Sequence, residues 1–313
     1  MKIELSDEAI EYGRQALRAL ESAGGDQLVQ RAEAEPDRRG EIVSAVFEEL
    51  GAWDLSPRTD VDELEAAAAL CRSAGHWALP YPVAERLSRP SDLDCDGLVV
   101  VADHRPAAAV AGLDLRWVAV STSGARSHAT AQPLRTPPRK SAFVTDLDLA
   151  GIDQQEAGDV ALGLTLPCWT LLGMLDRAIE LTRDHVLGRE QFGQPLASFQ
   201  SVQFQLTEAE VERSGLEMLA RYALWSIETD RPDAIEDALA LRLAAIEAAE
   251  VVLRVTHQLH GATGFCDETT LSWISRYSQP LRRLPLGLSA TRDLLAERLG
   301  RSGLAGLFGD PAG

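Results

Sequence analysis

The sequence predicts a mainly α-helical protein with a small β domain in its middle. Three observations predict it: helix-periodic segments near the start, a stretch after them where Val, Thr, Ser and Pro rise, and long periodic segments through the second half. At 313 residues, 45% of them hydrophobic, the chain can bury a substantial core. The pattern divides it into a helical N-terminal domain at 1–90, a reduced β domain at 91–150 and a C-terminal helical bundle at 151–313.

Residues 6–22 place Ile10, Leu17 and Leu20 among charged neighbours, with Ser6 as N-cap and Gly24-Gly25 as the stop. A second helix is expected at 42–50, where Ile42, Val46, Phe47 and Leu50 share helical spacing ahead of Gly51. A third, at 62–79, carries Leu64, Leu70 and a run of alanines and is closed by Pro80 and Pro82. In the β region, short apolar runs at 98–102, 117–121 and 142–149 alternate with turn residues and read as strands, while 122–138 is polar and unpatterned. Long helices are expected near 157–187, 200–228, 233–260 and 288–308, together an antiparallel bundle; Leu175, Ala178, Ile179, Val186 and Leu187 form one apolar stripe of the first.

Charge narrows the function. A net charge of −18 repels phosphate backbones and anionic lipid, so neither nucleic acid nor a membrane is expected as partner. Residues 1–6 lack the basic and apolar regions of a secretory signal, and no apolar run reaches the roughly 18 residues of a spanning helix. A cytoplasmic protein is expected. Cys71, Cys95, Cys168 and Cys266 show no paired spacing and read as reduced, buried structural thiols.

Two motifs carry chemistry. Arg189-Glu190-Gln191-Phe192-Gly193 follows a long helix, and Phe199-Gln200-Ser201-Val202-Gln203 opens the next; Gln258-Leu259-His260-Gly261-Ala262-Thr263-Gly264-Phe265 ends a third. Alone, an arginine at a helix end complements the helix dipole and a glycine caps a helix. In this order, with these helices between them, the motifs resemble the acyl-CoA dehydrogenase C-terminal domain, specifically over about 157–300. The resemblance implies that fold (helical N-terminal domain, β middle domain, C-terminal four-helix bundle) and FAD as cofactor. It places Arg189 on the FAD pyrophosphate across a subunit interface, Phe192 and Gly193 against the same cofactor, the Gln200 amide on FAD, and Gln258, Gly261 and Ala262 in a turn that meets its adenosine diphosphate. A fixed, always-charged, multi-donor guanidinium suits two phosphate charges better than lysine would.

The sequence also departs from the family. Its reaction needs a glutamate to take the α proton while the β hydride moves to flavin. The commoner family position falls on Pro285 or Leu286 ahead of Gly287, and the alternative falls on Gly163; none can accept a proton, and no acidic residue lies between Glu268 and Asp293. No catalytic residue is therefore assigned. The family's threonine- and serine-bearing strands have no counterpart at 91–150, and Trp117 is the only candidate for its tryptophan.

This pattern resembles the smaller, non-catalytic subunits of heteromeric acyl-CoA dehydrogenases, some of which act on steroid side-chain CoA thioesters. It implies FAD shared with a catalytic partner subunit, an acyl-CoA substrate, and an isolated chain that is nearly inactive, since a missing general base costs roughly 10² to 10⁴ in rate. The rival readings are a scaffold or regulatory protein of the same fold that binds no flavin, and a homo-oligomeric enzyme with an unrecognised base. No metal is assigned: His257 and His260 with Cys266, Asp267 and Glu268 match no zinc spacing. Glu268 and Arg276 are given structural roles, and His185 reads as a favourable charge at a helix C-terminus. Glu208, Glu210 and Glu212 read as a solvated helix face, and Trp53, Trp77, Trp169, Trp225 and Trp273 as core or interface aromatics.

Overall fold

A computed structural model describes residues 4–302. The end of the last expected helix, 303–308, lies outside the described residues. Five helices come first: α1 (Asp7–Ser22), α2 (Asp26–Ala34), α3 (Arg39–Glu49), α4 (Val61–His76) and the short α5 (Val83–Leu87). Ser6 caps α1, its side chain accepting from the Ala9 amide at 3.3 Å. Gly24 and Gly25 stop the helix with φ of 123° and 51°, and α2 starts directly behind them. The third helix begins at Arg39, before its first periodic apolar residue, and α4 ends at His76 where Ala78 turns left-handed.

The β domain holds β1 (Gly97–Val101), β2 (Ala107–Ala108), β3 (Trp117–Ser121), β4 (Ala125–Ala131), a four-residue helix α6 (Pro138–Ser141) and β5 (Thr145–Gln155). The sheet order is β1-β3-β4-β5-β2, with β1 and β3 parallel (Gly97 beside Trp117) and β3–β4–β5 an antiparallel meander. The polar stretch, where the pattern sets no strand boundaries, contains β4, held by ladders on both sides. One expectation needs correcting. The last strand starts at Thr145 rather than 142 because Ala142 and Phe143 take φ of 46° and 61°, which no strand accommodates.

Side chains along β1 and β3 alternate between two cores, as the pleat requires. Leu98, Val100, Val118 and Val120 face Val160 and Leu164 of helix α7 (Ala157–Gly188) and Ala238 and Leu239 of α9 (Ala234–His260), whereas Val99, Val101, Trp117 and Ala119 fill the interior of the β domain. The sheet is fastened by charge as well. Asp159, fully buried in the first turn of α7, pairs with Arg58 at 2.6 Å and with Arg126 of β4 at 2.7 Å.

The hairpin β6 (Glu190–Gln191) and β7 (Gln194–Pro195) links α7 to α8 (Gln200–Glu228); α9, α10 (Thr270–Arg283) and α11 (Leu288–Ser302) follow. Helices α7, α8 and α9 pack on one another, and α4 lies across α7. That crossing depends on glycine. A Cβ at Gly75 would stand 1.9 Å from the Thr170 carbonyl oxygen, and one at Gly173 would stand 1.9 Å from that of Arg72, so the backbones touch. A single apolar cluster runs from α1 through α4 into α7, α8 and α9. The apolar stripe of α7 is buried at Leu175, Ala178 and Val186 but ends before Leu187, which is 57% exposed. By composition α7 is apolar enough to cross a bilayer, yet 78% of its most apolar window is buried within the protein. The cysteines are free; Cys71 and Cys168 are buried, while Cys266 is exposed, contrary to the expectation of buried thiols.

Candidate functional site

Two regions bear on function: a surface groove where α7 and α9 end, and an internal cleft beneath the sheet. At the groove, α7 gives way to extended backbone at Arg189, and the chain turns through the two-strand hairpin with Phe192 and Gly193 at its tip, both at positive φ (54° and 79°). Opposite, α9 is capped by Gly261 at φ 61°, ψ −143°, a conformation essentially confined to glycine. Gly264 has no room for a side chain, since a Cβ there would lie 2.9 Å from His260 Cβ and 3.2 Å from His257 Nδ1. The close approach in this turn is made by Gly264, while Gly261 and Ala262 face outward.

The groove between these ends has a volume of about 560 Å³ and brings together Arg189, Gln258, Gly261 and Ala262 of the expected set. Phe192 stands 93% exposed at the hairpin tip, its ring 6.3 Å from that of Phe199, and Gln200 starts α8 outside the groove wall. Gln191 and Gln205 line the wall instead, with His185 and His260. No acidic residue lines it, in a chain with 48 Asp and Glu against 30 Lys and Arg. Arg189 has no carboxylate within ion-pair distance among the described residues, whereas Arg72 of α4, Arg213 of α8 and Arg254 of α9 are all paired.

His185 and His260 stack across the groove, centroids 4.5 Å apart and 18° between planes. Burial holds His185 below the ordinary histidine range, helped by the charge of Arg189. Burial does the same for His260, opposed in part by its hydrogen bond with the Thr256 carbonyl and helped by the neighbouring His185 and His257. His185 is thus drawn toward its neutral form, not the helix-end cation its position suggested. The sequence carried the signal, because His185 and Arg189 stand four apart at the end of one helix. Among the described residues no three His, Cys, Asp or Glu side chains group to hold a metal ion. Arg276 pairs with Asp267 at 2.8 Å and lies 4.8 Å over the Trp273 ring, a structural role.

The internal cleft is different in kind. Gly163 of α7 and Pro285, two of the three residues on which the resemblance led us to expect a base, line one cavity of about 60 Å³ together with Val100, Glu85 and Arg242, while Leu286 is not in its lining. A Cβ on Gly163 would lie 2.6 Å from Val100 Cγ2, so the sheet occupies the space a carboxylate side chain would need. Arg242, 2% exposed, donates to the Leu281 and Leu286 carbonyls at 3.1 and 2.6 Å and pins the Pro285-Leu286 segment. A second chamber of about 50 Å³ meets the first at Glu85 and holds Arg39 and Tyr277. Pockets that enclose a cofactor or drug-sized ligand run to about 300–1,000 Å³, several times either chamber. Glu85, which no motif or spacing singles out, has its pKa pushed up to about 7 by burial. Trp117 is turned into the β-domain core against Gly97, away from this cleft.

A further feature lies on α8. There Phe204, Val211 and Met218 recur every seven residues and are 64%, 63% and 51% exposed, an apolar stripe.

Residues 164–291 match the acyl-CoA dehydrogenase C-terminal domain. The acyl-CoA dehydrogenase FadE28 of Mycobacterium tuberculosis is 33% identical over 128 residues, 40% of this chain and 37% of that protein, so the matched segment spans little more than a third of that relative. Among solved structures, a variant of the Tcur3481-Tcur3483 steroid ACAD superposes with a TM-score of 0.78 at 17% identity, covering 95% of this chain and 99% of that chain. The ChsE4-ChsE5 complex from Mycobacterium tuberculosis gives 0.74 at 16% identity, covering 97% and 100%.

Proposed function

We propose that this chain, whose C-terminal domain belongs to the acyl-CoA dehydrogenase family and whose whole length carries that fold, is the non-catalytic subunit of a heteromeric acyl-CoA dehydrogenase. In this reading the Arg189 groove takes the diphosphate of an FAD whose ring lies in a catalytic partner, and that partner supplies the base. The observation that carries it is the contrast between the two regions: an open, acid-free groove with an unpaired arginine, and a closed cleft in which neither base position bears a carboxylate.

The groove fits the cofactor chemically. Arg189 offers a charged fork, Gly261 leaves open space where a Cβ would stand, and Gln258 and Gln205 bring amides that can both donate and accept. When bound, FAD supplies the acceptor for the hydride lost in α,β-dehydrogenation of an acyl-CoA. This chain's own residues bind and orient; they move no proton at the substrate. The α8 stripe and Phe192 present an apolar face of the kind subunit contacts use. A steroid side-chain CoA thioester is the substrate class we assign, on the likeness to a steroid ACAD, and the cytoplasm the setting, in keeping with four free cysteines.

Co-expression with a catalytic acyl-CoA dehydrogenase subunit tests this directly. The pair should purify yellow and active, the lone chain nearly colourless and inactive. If Arg189→Ala leaves the flavin content of the assembled pair unchanged, the groove is no cofactor site and the chain is a scaffold of the same fold.

A further inference from the structure

The histidine pair adds a property to the groove, resting on the reading above that the groove takes a dinucleotide diphosphate. His260 Nδ1 lies 2.9 Å from the Thr256 carbonyl oxygen, which can only accept, so Nδ1 carries the proton of the neutral ring. The Thr182 hydroxyl, 3.4 Å away, is already committed as donor to the Ala178 carbonyl. The other nitrogen, Nε2, makes no hydrogen bond to any described residue, and in the neutral ring it is a bare lone pair. A neutral His260 therefore meets an anion with an acceptor; only after taking a proton can it donate.

The groups around the pair favour that uptake once an anion arrives. From α7 comes the Thr182 hydroxyl, with Asp184 occupied by Arg183 at 3.2 Å, and from the residue that ends the helix Arg189; from α9 come His257 and the Thr256 carbonyl. Helix α8 contributes only neutral Val202 and Gln205, the hairpin Gln191, and the glycine turn Thr263. No carboxylate in the wall already holds the histidines charged. A doubly negative diphosphate against Arg189 would supply the missing counter-charge, and rings only 4.5 Å apart favour one proton over two.

We propose that the groove binds its diphosphate together with one proton taken up by the His185–His260 pair, making it a proton-coupled anion site. Coupling to a single proton predicts affinity that rises up to about tenfold for each unit of falling pH, between the pair's titration with anion bound and its titration in the empty groove. Above that window affinity is flat.

The test uses the full chain with ADP-ribose, whose diphosphate diester keeps a constant charge between about pH 5.5 and 8.5, so that only the protein titrates. Affinity should climb as pH falls, and at neutral pH saturation should move histidine ring resonances toward their imidazolium positions. His260→Gln, whose amide donates without gaining a proton, should bind more weakly with a flattened pH profile. Binding indifferent to pH, saturation without histidine protonation, or no binding at about pH 5.5 would each overturn the inference. Its fate separates from that of the FAD reading. Proton-coupled ADP-ribose binding by a chain whose complex holds no FAD leaves the inference standing and removes the cofactor; FAD held by the complex equally well at every pH does the reverse.

Discussion

The groove at the ends of α7 and α9 and the cleft beneath the sheet sit on the same helices, yet they have been treated oppositely. In the groove two groups that could meet a phosphate are left free: among the described residues Arg189 has no carboxylate within ion-pair distance and His260 Nε2 no hydrogen bond, while Gln205 and Thr263 donate only to backbone carbonyls. In the cleft the available space is taken. Val100 fills the position a side chain on Gly163 would enter, Arg242 is spent on backbone carbonyls, and about 60 Å³ remains. A site that serves another subunit must keep its outward half, while its inward half is free to become core. On the function proposed above, the difference between the regions is a division of labour within one assembly.

The largest test of that contrast is to put a base back. Gly163→Glu forces a carboxylate against Val100 in a dry interior and should destabilise the fold by about 3–5 kcal/mol without restoring dehydrogenation. Thermal denaturation and an acyl-CoA oxidation assay check it, and a stable, active variant would mean that the cleft is open after all. Next comes Arg189→Ala, which removes charge-assisted hydrogen bonds worth about 1.5–3 kcal/mol and should cut flavin retention by the assembled pair some 10- to 100-fold, leaving the melting temperature of the lone chain unmoved.

Glu85 sharpens the other side of the comparison. Its folded pKa, near 7, lies above that of the unfolded chain, so the folded state holds the extra proton. Stability should be greatest below the unfolded value and fall as pH rises through the window up to about 7. Glu85→Gln should therefore stabilise the protein at pH 8 by on the order of 2 kcal/mol and change little at pH 4.5, measured by denaturant unfolding at the two pH values. The smallest effect on the fold belongs to Phe204→Ser. With the side chain 64% exposed, folding stability should move by no more than about 0.5 kcal/mol, while association with the catalytic subunit, followed by analytical ultracentrifugation, should weaken.

Legibility in the sequence followed the same divide between local and distant causes. Helices α7, α8 and α9 could be bounded to within a residue because periodicity and caps are local. Helix α2 was missed because a nine-residue segment right behind two glycines reads as turn. Helix α10 was missed because Pro280 interrupts a polar pattern. Strand β4 escaped because only Arg126 and Ala129 of its residues are buried, and it is a strand by virtue of its neighbours' ladders. Within the site, Arg189, Gln258 and Gly261 were legible as motif; the His185–His260 stack and the exposure of Glu85 to two chambers arise from separate segments meeting in space. The vacancy at Gly163 and Pro285 could be read as missing carboxylates, but only the packing shows that Val100 has closed the gap.

The central claim is that flavin belongs to the pair and not to this chain. Native mass spectrometry of the chain alone and of the chain co-expressed with a catalytic acyl-CoA dehydrogenase subunit counts the cofactor in each. The account predicts FAD in the hetero-assembly and none on the lone chain; stoichiometric FAD on the lone chain, with acyl-CoA oxidation at ordinary speed, would contradict it.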